Sequence, residues 1–122
     1  FTSIAADRIT NSSITAGSTT ALDIDAQAAD LDTSRSIDNI ELRAASNAFS
    51  NSDIVAGSIG NIQLASIDPF DNGPSGFTAS TVGSVFVGRG ASGERIANPT
   101  TSFRPLDGNI EIRIGFEPAP TV

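Results

Sequence analysis

The sequence predicts an all-β protein, folded as a parallel β-solenoid, because short strand-like segments recur along its 122 residues. Residues 11–18 recur as residues 51–58, forty positions later, with six of the eight positions identical. A second pattern places two apolar residues three positions apart and a third two positions further on. Its copies are Ile37/Ile40/Leu42, Ile59/Ile62/Leu64 and Val82/Val85/Val87, and its last half returns at Ile110/Ile112. Successive copies are offset by 22, 23 and 25 residues, which indicates a repeated structural unit.

Each copy of this pattern ends in alternating apolar and polar residues, which is typical of a β-strand. A strand that recurs at this spacing fits a coil in which each turn stacks on the previous one and apolar side chains point inward. We therefore expect roughly 22 residues per turn and five to six turns in the chain. Ile40, Ile62, Val85 and Ile110 are predicted to lie above one another.

The predicted domain organisation is a single solenoid domain over residues 1–122 with two protruding loops. Residues 68–76 are dense in the turn formers Gly, Pro, Asn and Asp, and residues 89–105 form a second, longer excursion. Residues 18–49 depart from the repeat. Within them, the spacing of apolar residues over 26–49 also suits one face of a short helix, so a helix and an irregular coil both stay open there.

Residues 51–64, the following Gly/Asp/Pro loop and residues 81–87 together resemble the repetitive parallel β-helix regions of large bacterial surface and secreted proteins. The resemblance covers residues 50–90 and part of residues 10–18. It implies a solenoid and an extracellular or cell-surface location. It implies no shared catalytic residues.

The composition excludes several kinds of chemistry. The chain contains no His and no Cys, and each of its seven basic residues is Arg. The usual proton shuttle near neutral pH, the thiolate nucleophile and the common zinc sites are therefore excluded. Without Lys, Schiff-base chemistry is excluded as well. We predict that the protein is not an enzyme.

Charge and hydropathy limit the partners. Fourteen acidic residues give a net charge of −7, which repels nucleic acid phosphates and anionic membranes. No apolar run approaches the length of about 18 residues that a bilayer span requires, so we predict neither nucleic-acid binding nor membrane insertion. An acidic, Lys-free chain rich in Ser, Thr, Asn and Gly favours an extracellular or cell-surface location.

Candidate calcium ligands lie in the first predicted loop, at Asp68, Asp71 and Asn72. Calcium prefers six to eight oxygen ligands, and no stretch matches the twelve-residue EF-hand loop or the calcium-binding nonapeptide. Turn-forming Asp and Asn explain the same residues. The prediction is therefore no cofactor, with calcium as the alternative.

Residues 88–93 match the glycine pattern of a dinucleotide-binding turn, and Asp107 follows near the spacing of a ribose-binding acid. That mechanism needs a helix to begin at the third Gly, where its amino end binds the pyrophosphate. Pro99 follows too soon for such a helix. The sequence therefore predicts a loop here.

The two ends of a short solenoid expose unpaired strand edges unless something covers them. No capping helix is evident, so we predict that end strands pair with other copies of the chain. The predicted function is a non-catalytic, self-assembling subunit of an extracellular fibre, sheath or surface layer, or a fragment of an adhesin. The residues assigned to this assembly are Phe1, Ile4, Ile110, Ile112, Ile114 and Phe116.

Two alternatives stay open. One is a polysaccharide-binding module that uses the 68–76 and 89–105 loops, with Phe70, Phe77 and Phe103 as the aromatic residues available to stack on sugars. The other is a β-sandwich pilus-type subunit completed by a strand from its neighbour.

Overall fold

The protein is nearly all β-structure in a computed structural model, which describes residues 3–18, 22, 24, 26–67, 75–88, 94–103 and 110–117. The strands are β1 (Ser3–Ala6), β2 (Ile9–Thr10), β3 (Ser13–Thr15), β4 (Ser36–Leu42), β5 (Phe49–Ser50), β6 (Asp53–Val55), β7 (Ser58–Leu64), β8 (Ser75–Ala79), β9 (Thr81–Val87), β10 (Glu94–Ala97) and β11 (Ile110–Ile114). Within these ranges the helical structure is limited to a three-residue 3-10 turn at Ala28–Asp30. The all-β prediction is confirmed.

The strands form three sheets, and the chain visits them in the same order twice over β1 to β6. Sheet A has the order β1-β4-β7-β9-β10, sheet B is β2-β5, and sheet C has the order β11-β8-β6-β3. Paired strands are parallel throughout, except that β10 runs antiparallel to β9. Parallel sheets do not fit the β-sandwich alternative, which is built from antiparallel sheets.

The repeated apolar pattern sets the register of sheet A. Ile40 pairs with Ile62, and Ile62 pairs with Val85, as the repeat predicts. The predicted place of Ile110 above them is wrong, because Ile110 begins β11 in sheet C and pairs with Ser75. The position beside β9 is occupied instead by β10, which folds back along it. Alternation alone does not tell which sheet a strand joins.

The core lies between the three sheets and consists of one cluster of apolar side chains. Sheet A contributes the Ile, Val and Leu residues of the repeated pattern, and sheet B contributes Phe49. Phe77 of sheet C stacks on Phe49 with ring centroids 4.7 Å apart. Both rings are fully buried.

Three segments have a different structure from the one the sequence predicts. A helix over residues 26–49 is wrong, because β4 occupies 36–42 and its Ile and Leu side chains enter the core. Ser75 and Gly76, placed in the first loop, are buried residues of β8. The second excursion, 89–105, contains β10. In each case pairing with a neighbouring strand and burial outweigh local turn or helix preference.

Candidate functional site

The first strands of the three sheets lie together at one end of the protein, here called the amino-terminal end. Among the described residues, β1, β2 and β3 each pair with one neighbouring strand, β4, β5 and β6 respectively. Ile4 and Ile14 are half-buried at the margin of the core. The exposed side chains of the three strands are small and uncharged: Ser3, Ala5, Thr10 and Ser13. This arrangement offers three strand edges at once, the geometry required for strand addition.

The opposite end of sheet C is covered by the chain itself. Phe103 and Ile112 exchange two backbone hydrogen bonds, of 3.0 and 2.8 Å between nitrogen and oxygen. The amide of Ile114 donates to the Ser102 hydroxyl at 2.7 Å. The outer edge of β11 is therefore occupied at these positions and is not available to a strand from another molecule.

The residues assigned to assembly from the sequence fall into three groups. Ile4 lies at the amino-terminal end, as required. Ile110, Ile112, Ile114 and Phe116 are buried residues, at most 9% exposed, so their side chains belong to the interior of the monomer. The apolar face of β11 closes the core. Phe1 lies outside the described residues.

The outer face of sheet A carries polar rows that run across the strands. Asn61 donates from Nδ2 to Oδ1 of Asn39 at 3.0 Å, and Ser84 donates from its hydroxyl to Oδ1 of Asn61 at 2.5 Å. A similar contact joins the Asn51 amide to Oδ1 of Asn11 at 2.6 Å. Asn11 thus takes part in an asparagine ladder.

A shallow depression of about 250 Å³ lies on this outer face at the carboxyl ends of β4, β7 and β9. Glu41, Gln63 and Phe86 are in register across the three strands and line it, together with Arg43. Arg43 Nη2 lies 2.9 Å from Glu41 Oε1, and both side chains are about half exposed. At the amino ends of the same strands is an open groove of about 400 Å³, lined in part by the hydroxyls of Ser36, Ser58 and Thr81.

A nearly buried ion pair lies on the outer face of sheet C. Arg113 Nε is 2.9 Å from Glu111 Oε2, and the two side chains are 12% and 7% exposed. Arg113 also donates from Nη1 to the carbonyl of Ile24 at 3.1 Å, and the Thr78 hydroxyl donates to the same oxygen at 2.8 Å. Ile24 is 1% exposed. These contacts attach the segment around Ile24 to the sheet and explain why two charged residues of β11 are covered.

A carboxyl group in an exposed turn has a shifted pKa. The Ser34 hydroxyl and then the Ser34 amide donate hydrogen bonds to Asp32, and these hold the pKa of its carboxyl below the usual value. Arg35, 3.5 Å away, adds a smaller effect in the same direction. The turn stabilises the chain between two strands and contains no catalytic arrangement.

The other predicted sites receive little support. Asp68, Asp71 and Asn72 lie outside the described residues, and the described part of the chain contains no group of three or more acids that could hold a metal ion. In the glycine-rich segment, Glu94–Ala97 is a strand where a dinucleotide turn needs a helix.

The predicted sugar-stacking residues are also placed. Phe77 is fully buried against Phe49, and Phe103 is half-buried against the core, while Phe70 lies outside the described residues. Phe86 was not singled out by the sequence, although its position between the inward Val85 and Val87 indicates an outward side chain.

No protein-family model, curated protein or solved structure matches this chain. In the part of the chain that the structure describes, no helix has the length and hydrophobicity to cross a bilayer.

Proposed function

We propose that the chain is a non-catalytic extracellular structural protein, folded as a parallel β-solenoid, that associates with a second copy of itself through its amino-terminal end. The observation that carries the proposal is the difference between the two ends. Three edge strands lie together at the amino-terminal end, whereas at the other end Ser102 and Phe103 occupy the edge of β11 and leave β10 as the edge strand of sheet A.

The order of the sheets supports the solenoid. Strands of sheets A, B and C follow one another twice over β1 to β6, and β7, β8 and β9 continue the alternation between sheets A and C. Equivalent polar side chains hydrogen-bond at sequence separations of 22 and 23 residues. The first ladder contact, between Asn11 and Asn51, spans 40 residues because the segment around Ile24 lies between the two strands. The parallel part of sheet A has four strands, so the described residues support about four turns, fewer than the five to six expected.

A second copy of the chain is a suitable partner, because its amino-terminal end presents the same three strand edges at the same spacing. The connection between β1 and β2 places Asp7 and Arg8, one charge of each sign, at this end, so two copies do not repel each other there. A contact between two identical ends is isologous and closes on itself. The expected product is therefore a pair of molecules; growth into a fibre would in addition require pairing through the edge strand β10.

Lysines placed on the three edges are expected to abolish this association. The variant carries Ala5→Lys, Thr10→Lys and Ser13→Lys, at exposed positions of β1, β2 and β3. Lysine on an edge strand opposes strand addition, and we expect association to weaken by at least about tenfold. Sedimentation velocity at increasing protein concentration measures the effect. The wild-type protein should approach twice the monomer mass, and the variant should remain a monomer.

The matched control places the same three charges at the opposite end, as Ala97→Lys, Thr100→Lys and Thr101→Lys, which are also exposed. It should associate like the wild type. A wild-type protein that stays monomeric throughout, or a control that loses association as fully as the edge variant, would contradict the proposal. Filaments of increasing length would contradict the closed pair.

A further inference from the structure

Phe86 presents its ring on the outer face of sheet A. It is half-buried and lies in the 250 Å³ depression. Gln63 is its in-register neighbour on β7, and Arg95 is its direct partner on the antiparallel strand β10, so both side chains emerge on the same face. Gln63 and Arg95 are exposed. An accessible aromatic surface therefore lies between an amide and a guanidinium group.

The polar groups beside this ring are balanced in charge. Glu41 and Arg43 form an ion pair of 2.9 Å in which both side chains are about half exposed. Their carboxylate and guanidinium groups supply hydrogen-bond acceptors and donors side by side, and Gln63 supplies one of each kind. A sugar ring has an apolar face that packs on an aromatic ring and a rim of hydroxyls that both donate and accept. The depression matches these two requirements.

Polar groups continue from the depression along the sheet. The row formed by Asn39, Asn61 and Ser84 crosses its middle, and the groove lined by hydroxyl side chains lies at the other end of the same strands. At about 3.3 Å per strand residue, the distance from Phe86 to Thr81 is roughly 16 Å. This length suits several linked sugar rings.

We propose that the outer face of sheet A is a binding site for a neutral polysaccharide, with Phe86 as the stacking residue and Gln63, Glu41 and Arg43 as the groups that bind sugar hydroxyls. The net charge of −7 disfavours a long polyanion. The site is separate from the amino-terminal end, so it does not depend on self-association.

Affinity electrophoresis tests the proposal in native gels that contain β-glucan, xylan, galactomannan, hydroxyethylcellulose or glycol chitin, with polygalacturonate as the anionic comparison. The wild-type protein should be retarded by at least one neutral polysaccharide and not by polygalacturonate alone. Phe86→Leu, which keeps an apolar side chain but removes the ring, should weaken retardation by about tenfold or more. Phe86→Tyr keeps the ring and should bind like the wild type.

Gln63→Ala is a second variant at an exposed position and should weaken retardation without affecting the fold, as checked by circular dichroism. No retardation in any of the neutral polysaccharides, retardation by polygalacturonate alone, or equal retardation of the wild type, Phe86→Leu and Gln63→Ala would overturn the proposal. Sedimentation of the same variants should show unchanged association, which separates this site from the assembly contact.

Discussion

Replacement of Gly76 with alanine is expected to destabilise the protein severely. Gly76 is buried in β8, between Asp53 of β6 and Glu111 of β11, with a φ of +146°. A Cβ atom there would meet the Glu111 backbone, 2.8 Å from its carbonyl carbon and closer still to its oxygen. The strands cannot separate without losing their hydrogen bonds. We expect a loss of about 3 to 5 kcal/mol in the free energy of unfolding.

Urea unfolding followed by far-UV circular dichroism measures this loss, since the chain has no Trp or Tyr. Gly115→Ala is the matched control, because Gly115 also has a positive φ, +65°, but nothing lies within 4 Å of the added Cβ. Its expected cost is about 1 kcal/mol, from the backbone conformation alone. Equal costs for the two substitutions would show that β8 does not pass as closely to β11 as described.

Phe77→Ala is expected to cost about 3 to 5 kcal/mol, because it removes a fully buried ring from the centre of the core. The ring stacks on Phe49 at an interplanar angle of 28°. Among the described residues, no other aromatic ring stacks on this pair. A double-mutant cycle with Phe49→Ala should give a coupling energy of about 0.5 to 1.5 kcal/mol.

Phe103→Ala is the comparison for this core substitution, since Phe103 is half-buried at the margin of the same core. It should cost about 1 kcal/mol. Chemical unfolding of the four variants gives all the required differences. If Phe77→Ala costs no more than Phe103→Ala, the stacked pair is not at the centre of the core.

The strands β4, β7 and β9 could be predicted in position and register, because inward Ile, Val and Leu residues repeat at nearly equal spacing. The position of β11 could not. Ile110 and Ile112 carry the same alternation as Ile62 and Leu64, and only the return of the chain along β9 as β10 excludes them from sheet A. A local pattern reports which side chains face inward, whereas the partner strand depends on the path of the intervening chain.

The candidate surfaces could be predicted from the sequence only in part. Open strand edges could be expected at both ends, but the cover over β11 depends on a contact between Phe103 and Ile112 that no local pattern indicates. The Gly and Pro residues before Phe77 predict a position beside a loop. In the structure Phe77 lies in β8, which pairs with β6 and β11, and its ring is buried in the core. Glu111 and Arg113 alternate with Ile as exposed residues do, yet they form a nearly buried ion pair, and Arg113 also donates to the carbonyl of Ile24.

Association through the amino-terminal end is the central claim, and backbone amide hydrogen exchange measured at several protein concentrations tests it most directly. Amides that face outward on an edge strand gain protection only when another strand pairs with them. Exchange in residues 3–15 should slow as concentration rises, while exchange in residues 94–103 and 110–117 should not change. Exchange in residues 3–15 that is independent of concentration, or slowing confined to residues 110–117, would contradict the claim.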